Sequence, residues 1–339
     1  MRSVDILVGG QFGSEGKGKF VAYLAQKYDY DFAVRSGGPN AGHTFYRNGR
    51  KYVTRHLPSA VANERTKLYL APAALINLQL LEEELTSLAD LNPLGRLFID
   101  NQAGIISRKH IEATNLERAS TKQGVGAAQA DKAVRRLEIV GNAGTFHGYN
   151  RLDVVSELND LVDSRHYGIV EGVQGCGLSL NNYWYPFCTS RDVYAASLLS
   201  DCGLSPYLVR DIYIVFRTYP IRWGGESGPM GAKELSWEEI KARSSSDRLL
   251  VETSTVGNIP RRVGEFSWPE AQRATKINRP TKICLSFVDY INCADYGVTE
   301  FTLLSPDSRR FVQGIENTLQ VPVSLISTGP FDHQIIDRE

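Results

Sequence analysis

Gly9-Gly10-Gln11-Phe12-Gly13-Ser14-Glu15-Gly16-Lys17-Gly18-Lys19 joins an apolar strand-like run at 4–8 to a helical pattern at 20–26. Its five glycines let backbone approach an anion closely. The helix that follows contributes free N–H groups and positive partial charge at its N-terminus. Lys17 and Lys19 add full charge beside them. A strand, a glycine-rich turn and a helix in this order read as a phosphate-binding loop; a flexible surface turn would have little use for the two lysines. The loop is not of the Walker type, because the four-residue gap before Gly-Lys is missing and Gly18 stands where a Ser or Thr is required.

Working outward, strand-like runs at 31–35, 45–47, 52–55, 67–70, 96–99, 168–171, 211–217, 282–287 and 323–326 alternate with helical patterns. The helical stretches fall near 75–88, 105–118, 127–139 and 152–164. Asn48-Gly49-Arg50 is a plausible hairpin turn. The alternation predicts an α/β protein with a mainly parallel central sheet flanked by helices, and phosphate loops at the carboxyl ends of strands. With no repeats or linker in sight, the expectation is one domain over 1–339 with insertions. The polar stretch 226–246 reads as a mobile segment.

Lys+Arg and Asp+Glu both number 38, which argues against a nonspecific nucleic-acid surface or a polybasic membrane surface. Positive charge concentrated at one loop suits a small anionic ligand instead. The five cysteines, Cys176, Cys188, Cys202, Cys284 and Cys293, show no metal or redox spacing, so free thiols in a reducing cytoplasm are expected. The start, a charged residue followed by a strand-like run, leads us to expect no signal peptide, and no apolar run reaches membrane-spanning length.

A second cluster, Gly37-Gly38-Pro39-Asn40-Ala41-Gly42-His43-Thr44, together with the first loop, resembles the adenylosuccinate synthetases. The likeness runs on through Thr121-Lys122-Gln123-Gly124-Val125-Gly126, Asp131-Lys132, Arg135-Arg136 and Glu171-Gly172-Val173-Gln174-Gly175. It continues in Tyr185-Pro186-Phe187-Cys188-Thr189-Ser190, Arg261-Arg262-Val263-Gly264 and Ser327-Thr328-Gly329-Pro330. The resemblance implies a carbon–nitrogen ligase: a nucleoside triphosphate phosphorylates O6 of a 6-oxopurine nucleotide, and the amine of aspartate displaces the phosphate.

Family members carry an aspartate in the glycine-rich loop, where it serves as base at purine N1 and as Mg²⁺ ligand. Here that position is Ser14. A hydroxyl cannot carry charge at neutral pH unaided, so a water, a nearby anion or the metal must take the proton. One reading is a degraded synthetase; the intact remainder of the site favours a changed substrate. Guanine has an amino group at C2 where hypoxanthine has hydrogen, and a short hydroxyl leaves room for it and accepts its hydrogen bond. In this respect the chain resembles a phage branch of the family that joins aspartate to dGMP, giving N6-succino-2-amino-2′-deoxyadenylate for diaminopurine DNA. The alternatives are an IMP- and GTP-using adenylosuccinate synthetase, or a nucleotide switch that ligates nothing.

Residue by residue, the resemblance gives Ser14, Lys17 and His43 the catalytic roles. The triphosphate is expected on Ser14, Glu15, Gly16, Lys17, Gly18, Gly42, His43, Thr44, Gln174 and Arg261, with its base at Asp289, Ser327 and Gly329. The family's lysine in the donor-base element is replaced by Phe287, which favours ATP or dATP over GTP. The purine monophosphate is expected on Ser14, Asn40, Thr121, Gln174 and Thr189. Arg135 would reach it from the partner subunit of a homodimer. Thr255, Val256 and Arg261 are expected to bind aspartate, and Mg²⁺ to sit near Ser14 and the Gly42 carbonyl. Ile259 replaces a family arginine near the ribose. A hydroxyl left without a partner there costs roughly 1–3 kcal/mol, so dGMP should be preferred to GMP.

Overall fold

The computed structural model describes residues 2–114, 121–146, 148–247, 251–253 and 260–339. The first half contains β1 (Val4–Gly9), α1 (Lys17–Tyr28), β2 (Phe32–Arg35), the hairpin β3 (His43–Arg47) and β4 (Arg50–Thr54), and β5 (Lys67–Leu70). It continues with β6 (Leu75–Ile76), α2 (Leu78–Ser87), β7 (Leu97–Asp100), β8 (Gly104–Ile105), α3 (Arg108–Ala113) and α4 (Val125–Ala133). Next come β9 (Asn150–Leu152), α5 (Val154–Asp163), β10 (Gly168–Glu171), α6 (Ala195–Cys202), β11 (Val209–Arg217) and β12 (Ile221–Arg222). The chain finishes with β13 (Glu234–Leu235), α7 (Trp237–Arg243), β14 (Arg262–Gly264), α8 (Trp268–Asn278), β15 (Lys282–Ser286), α9 (Pro306–Leu319), β16 (Val323–Ser327) and β17 (Ile335–Asp337).

Ten strands form one sheet in the order β17-β16-β15-β11-β1-β10-β2-β5-β7-β9. Every pairing in it is parallel except β16 with β17. The central strands are apolar over most of their length because both faces are covered; the charged exceptions include Asp5, which is bonded to Tyr30 and Arg210, and Arg35, Glu171 and Arg217 at the carboxyl ends. Along β1, Ile6 and Val8 pack with α5, α6, α8 and α9, while Leu7 joins the opposite cluster with Phe20, Val21 and Leu24 of α1. Each fully buried side chain of this size contributes about 1.5–3 kcal/mol, so the alternation along β1 pins the sheet between its two helix layers.

The predicted architecture holds, with local differences. The helix expected at 75–88 starts only at Leu78, because Leu75 and Ile76 pair with β8 and Asn77 caps the helix by accepting from the Leu80 N–H at 3.2 Å. The helix expected at 127–139 stops at Ala133, and Arg135 turns the chain with a φ of 61°. The stretch 226–246, read as mobile, instead holds β13 and α7. There Ser236 accepts from the Glu239 N–H at 3.1 Å and Glu239 reaches back to the Ser236 N–H at 2.7 Å. All five cysteines are free thiols. Among the described residues no helix is long and apolar enough to cross a membrane.

Candidate active site at the carboxyl edge of the sheet

Strands β2, β10, β1, β11 and β15 are neighbours and parallel, so their carboxyl ends open along one edge. From that edge rise the loop after Gly9, the loop from Gly37 to Gly42, the turn carrying Gln174, the segment after Arg217, and Phe287. They surround a cavity of about 670 Å³, large enough for more than one small ligand. Lining it are Ser14, Gly16, Lys17, Gly18, Asn40, Gly42, His43, Thr44, Thr121, Gln174, Thr189 and Arg261. Sequence reasoning therefore collected residues from six separated motifs that the fold brings to one place.

Ser14 sits at the corner of the first loop, exposed to the cavity, with a φ of 58°. Such a conformation is uncommon outside glycine and needs support from its surroundings. Arg217, buried at the end of β11, supplies it by donating from Nη1 to the Ser14 carbonyl at 3.0 Å. The same guanidinium is ion-paired with Glu252 and lies over the Phe287 ring, 3.9 Å from its centroid. Gln11 completes the mount: its Oε1 accepts from the Arg217 N–H at 3.0 Å, and its Nε2 donates to the Arg217 carbonyl at 3.1 Å. Neither Arg217 nor Glu252 was anticipated from sequence, because only the adjacency of β11 and β1 brings them to the loop.

Glu15 faces inward. Its Oε1 accepts from the N–H groups of Gln11 (3.1 Å) and Gly13 (2.8 Å), and its Oε2 from Lys17 Nζ (2.6 Å). Two loop donors are thus occupied by Glu15, and the anion-binding capacity rests on the first turn of α1, which has no side-chain cap. Gly18 in that turn is required by close packing: a Cβ there would lie 2.8 Å from the His43 Cβ and 3.0 Å from the Thr44 carbonyl.

His43 is buried, and its Nδ1 is bonded to Glu171 at the end of β10. Glu171 also accepts from the Ser59 N–H (2.5 Å) and hydroxyl (2.8 Å), with Arg35 at 3.8 Å. Burial, then the Arg35 charge, push His43 down to about 4, against the opposing pull of Glu171. Burial raises the Glu171 carboxyl, but the His43 bond and Arg35 outweigh it and hold it below the usual range. The imidazole is therefore neutral, with its proton on Nδ1 toward Glu171 and Nε2 left as an acceptor.

Asn40 Oδ1 and Gln174 Oε1 are buried acceptors with no hydrogen-bond partner among the described residues. An unsatisfied buried acceptor costs roughly 1–3 kcal/mol, so a donor group of a ligand filling the cavity would relieve both. Arg261 is held by its own N–H to the Glu252 carbonyl (2.9 Å), and its guanidinium lies 5.9 Å from the Trp223 ring centroid. Burial lowers its pKa. Phe12 and Phe187 from the quoted motifs, with Leu178 and Trp223 from outside them, give the cavity an apolar wall.

Three expected positions lie apart. Asp289, Ser327 and Gly329 do not line this cavity; they gather around Lys19, on the first turn of α1. Lys19 Nζ donates to Ser327 Oγ (2.8 Å) and to the carbonyls of Gly329 (2.6 Å) and Gln334 (2.8 Å). Burial pushes Lys19 down to about 7 against the pull of Asp289 and Asp332, and burial likewise raises Asp289 to about 6. Arg135 is exposed and does not line this cavity. Thr255, Val256 and Ile259 lie outside the described residues. Among the described residues, no cluster of three or more His, Cys, Asp or Glu could hold a metal. The Ser14 hydroxyl and the Gly42 carbonyl offer neutral oxygens, a set that fits a hard ion held mainly by phosphate oxygens.

A parallel sheet with a glycine-rich loop, a lysine and a buried histidine at its carboxyl edge defines a phosphate-handling α/β protein. The adenylosuccinate synthetase family model matches residues 6–145 and 148–296. Among curated relatives, the adenylosuccinate synthetases of Pyrococcus sp. (strain ST700) and Methanocaldococcus jannaschii are each 37% identical. The first match covers 98% of both chains, and the second 98% of this chain and 96% of the relative. This chain belongs to the adenylosuccinate synthetase family of carbon–nitrogen ligases.

Two solved structures superpose over all of it. The fully ligated adenylosuccinate synthetase of Plasmodium falciparum, covered in full, gives a TM-score of 0.88 at 21% identity and bears on the fold alone. The succinoaminodeoxyadenylate synthetase of cyanophage S-2L, bound to dGMP and to dATP as an energy donor, gives 0.84 at 27% identity with 96% of that chain covered.

Proposed function

We propose that this ligase joins L-aspartate to C6 of dGMP with hydrolysis of ATP, giving N6-succino-2-amino-2′-deoxyadenylate, ADP and phosphate. The observation that carries the reading is Ser14: a small hydroxyl exposed to the cavity at the loop corner where relatives carry a carboxylate. A hydroxyl accepts from the guanine C2 amine and leaves it space. The similarity to the cyanophage enzyme, which binds dGMP, supports the same choice.

In this reading O6 attacks the terminal phosphoryl group and the O–P bond to ADP breaks. The aspartate amine then forms the C6–N bond as phosphate departs with O6. Lys17 leaves Glu15 to balance charge on the migrating group, and His43 donates to it once protonated. Asn40, Thr121, Gln174 and Thr189 hold the monophosphate nucleotide, and Thr255, Val256 and Arg261 the aspartate. Ser14 and Gly42 would hold Mg²⁺, which neutralises phosphate charge when bound. Asp289, Ser327 and Gly329 take the donor base. Arg135 enters the partner's site in a homodimer, and 1–339 acts as one unit in the cytoplasm.

The archaeal relatives at 37% identity favour a second reading, IMP with GTP. Turnover of dGMP and IMP, each with ATP, dATP or GTP, separates the two. The expected result is dGMP with ATP or dATP, and a shift toward IMP in Ser14→Asp. Equal use of IMP by the wild type, or an unchanged preference in the variant, removes the role given to position 14.

A further inference from the structure

We propose that Arg55 is a phosphoryl-binding residue of this site, gripping the triphosphate donor beside the Gly42–Thr44 segment. This rests on the ligase reading of the cavity. Arg55 directly follows β4, whose Thr54 pairs with His43, and the Thr54 carbonyl lies 4.0 Å from where a Gly42 Cβ would be. The residue thus stands beside the Gly42–Thr44 segment, and its side chain lines the cavity.

Its backbone is unusually well anchored. The buried Glu84 carboxylate on α2 accepts from the N–H groups of Arg55 (3.0 Å), His56 (2.8 Å) and Leu57 (3.0 Å). Yet the Arg55 guanidinium makes no hydrogen bond or ion pair with any described residue, although acids and bases are equal in number in the chain. Other arginines near the site are engaged: Arg35 with the Leu57 carbonyl, Arg217 with Glu252, and Arg222 with the Pro229 and Phe187 carbonyls. A fixed platform carrying an open planar fork at a cavity wall matches phosphate oxygens, which the fork can meet with two parallel bonds. Arg261 occupies the part of the cavity walled by Trp223 and Glu252, so the Gly42–Thr44 side assigns Arg55 to phosphate rather than to the aspartate carboxylate.

The test compares wild type with Arg55→Ala and Arg55→Lys, using whichever monophosphate the wild type turns over. Steady-state constants are measured for each substrate, and inorganic tripolyphosphate binding is followed by calorimetry. Arg55→Ala should lower kcat/KM for the donor roughly 10- to 100-fold and weaken tripolyphosphate similarly, with KM for monophosphate and aspartate within about twofold. Arg55→Lys should recover only part, since charge returns without the fork. Folding is checked by thermal melting; if the alanine variant does not fold, the lysine variant carries the comparison. Unchanged donor constants in a folded variant, a loss confined to monophosphate or aspartate, or no tripolyphosphate binding by the wild type overturns the assignment. A wild type that prefers IMP would fail the dGMP reading while leaving this outcome readable.

Discussion

His43 shows how a side chain's neighbours decide what it can do. With Glu171 on Nδ1 and the ring neutral, Nε2 has no proton to give a phosphate oxygen. Burial holds its pKa below the unfolded value, so the folded site gains affinity for a proton only when new negative charge arrives. Donor binding near pH 7 should therefore be accompanied by uptake of up to about one proton. Calorimetry in buffers of different ionisation enthalpy reads this directly, with His43→Asn as control for protons exchanged by the nucleotide. The same uptake in the variant, or none in the wild type, would show that His43 stays neutral. At this scale the sequence made Lys17 and His43 legible because their loops have fixed spacing. It concealed Glu171's hold on His43, and it gave no sign of Arg217 and Glu252, which meet only once β11 lies beside β1, or of Arg55, which the β3–β4 hairpin carries to the cavity wall.

Among the elements, α1 does two jobs. Its first turn faces the cavity through Lys17 and Gly18, while Lys19 holds the 327–334 segment by three oxygen acceptors. Replacing Lys19 by Met keeps the stem and removes those bonds. We expect the donor KM to rise about tenfold with the monophosphate KM unmoved, since the released segment carries the positions assigned to the donor base. A donor KM equal to wild type would mean that the segment is held by other contacts. Strand positions were readable from their apolar runs, for the central sheet is covered on both faces. Helix ends were less so: 75–76 pair with β8 for tertiary reasons, and the capping signal Ser236–Glu239 was present within a stretch whose polarity suggested no structure.

For the whole molecule, the cavity is built by one chain except for a contribution assigned to Arg135. Its α4 neighbours face Lys109, His110 and the Pro72 carbonyl, whereas Arg135 itself points to none of the cavity residues. If it serves the partner's site, Arg135→Ala and Lys17→Ala should each be inactive alone. Mixed and allowed to exchange, they should recover about a quarter of wild-type activity, from the one intact site in each mixed dimer. Mixing without recovery would place Arg135 in its own subunit or outside the reaction.

Arg217 touches the Ser14 carbonyl with one nitrogen and covers the Phe287 ring with its flat face. Two of the three positions at which the sequence departs from the family pattern, 14 and 287, thus lean on a single guanidinium. If these positions set acceptor and donor choice as proposed, an exchange that moves the backbone at 14 or the ring at 287 shifts the guanidinium both rest on, and the two preferences are expected to change together. Ancestral reconstructions that swap position 14 or position 287 alone should be less fit than either parent or the double exchange.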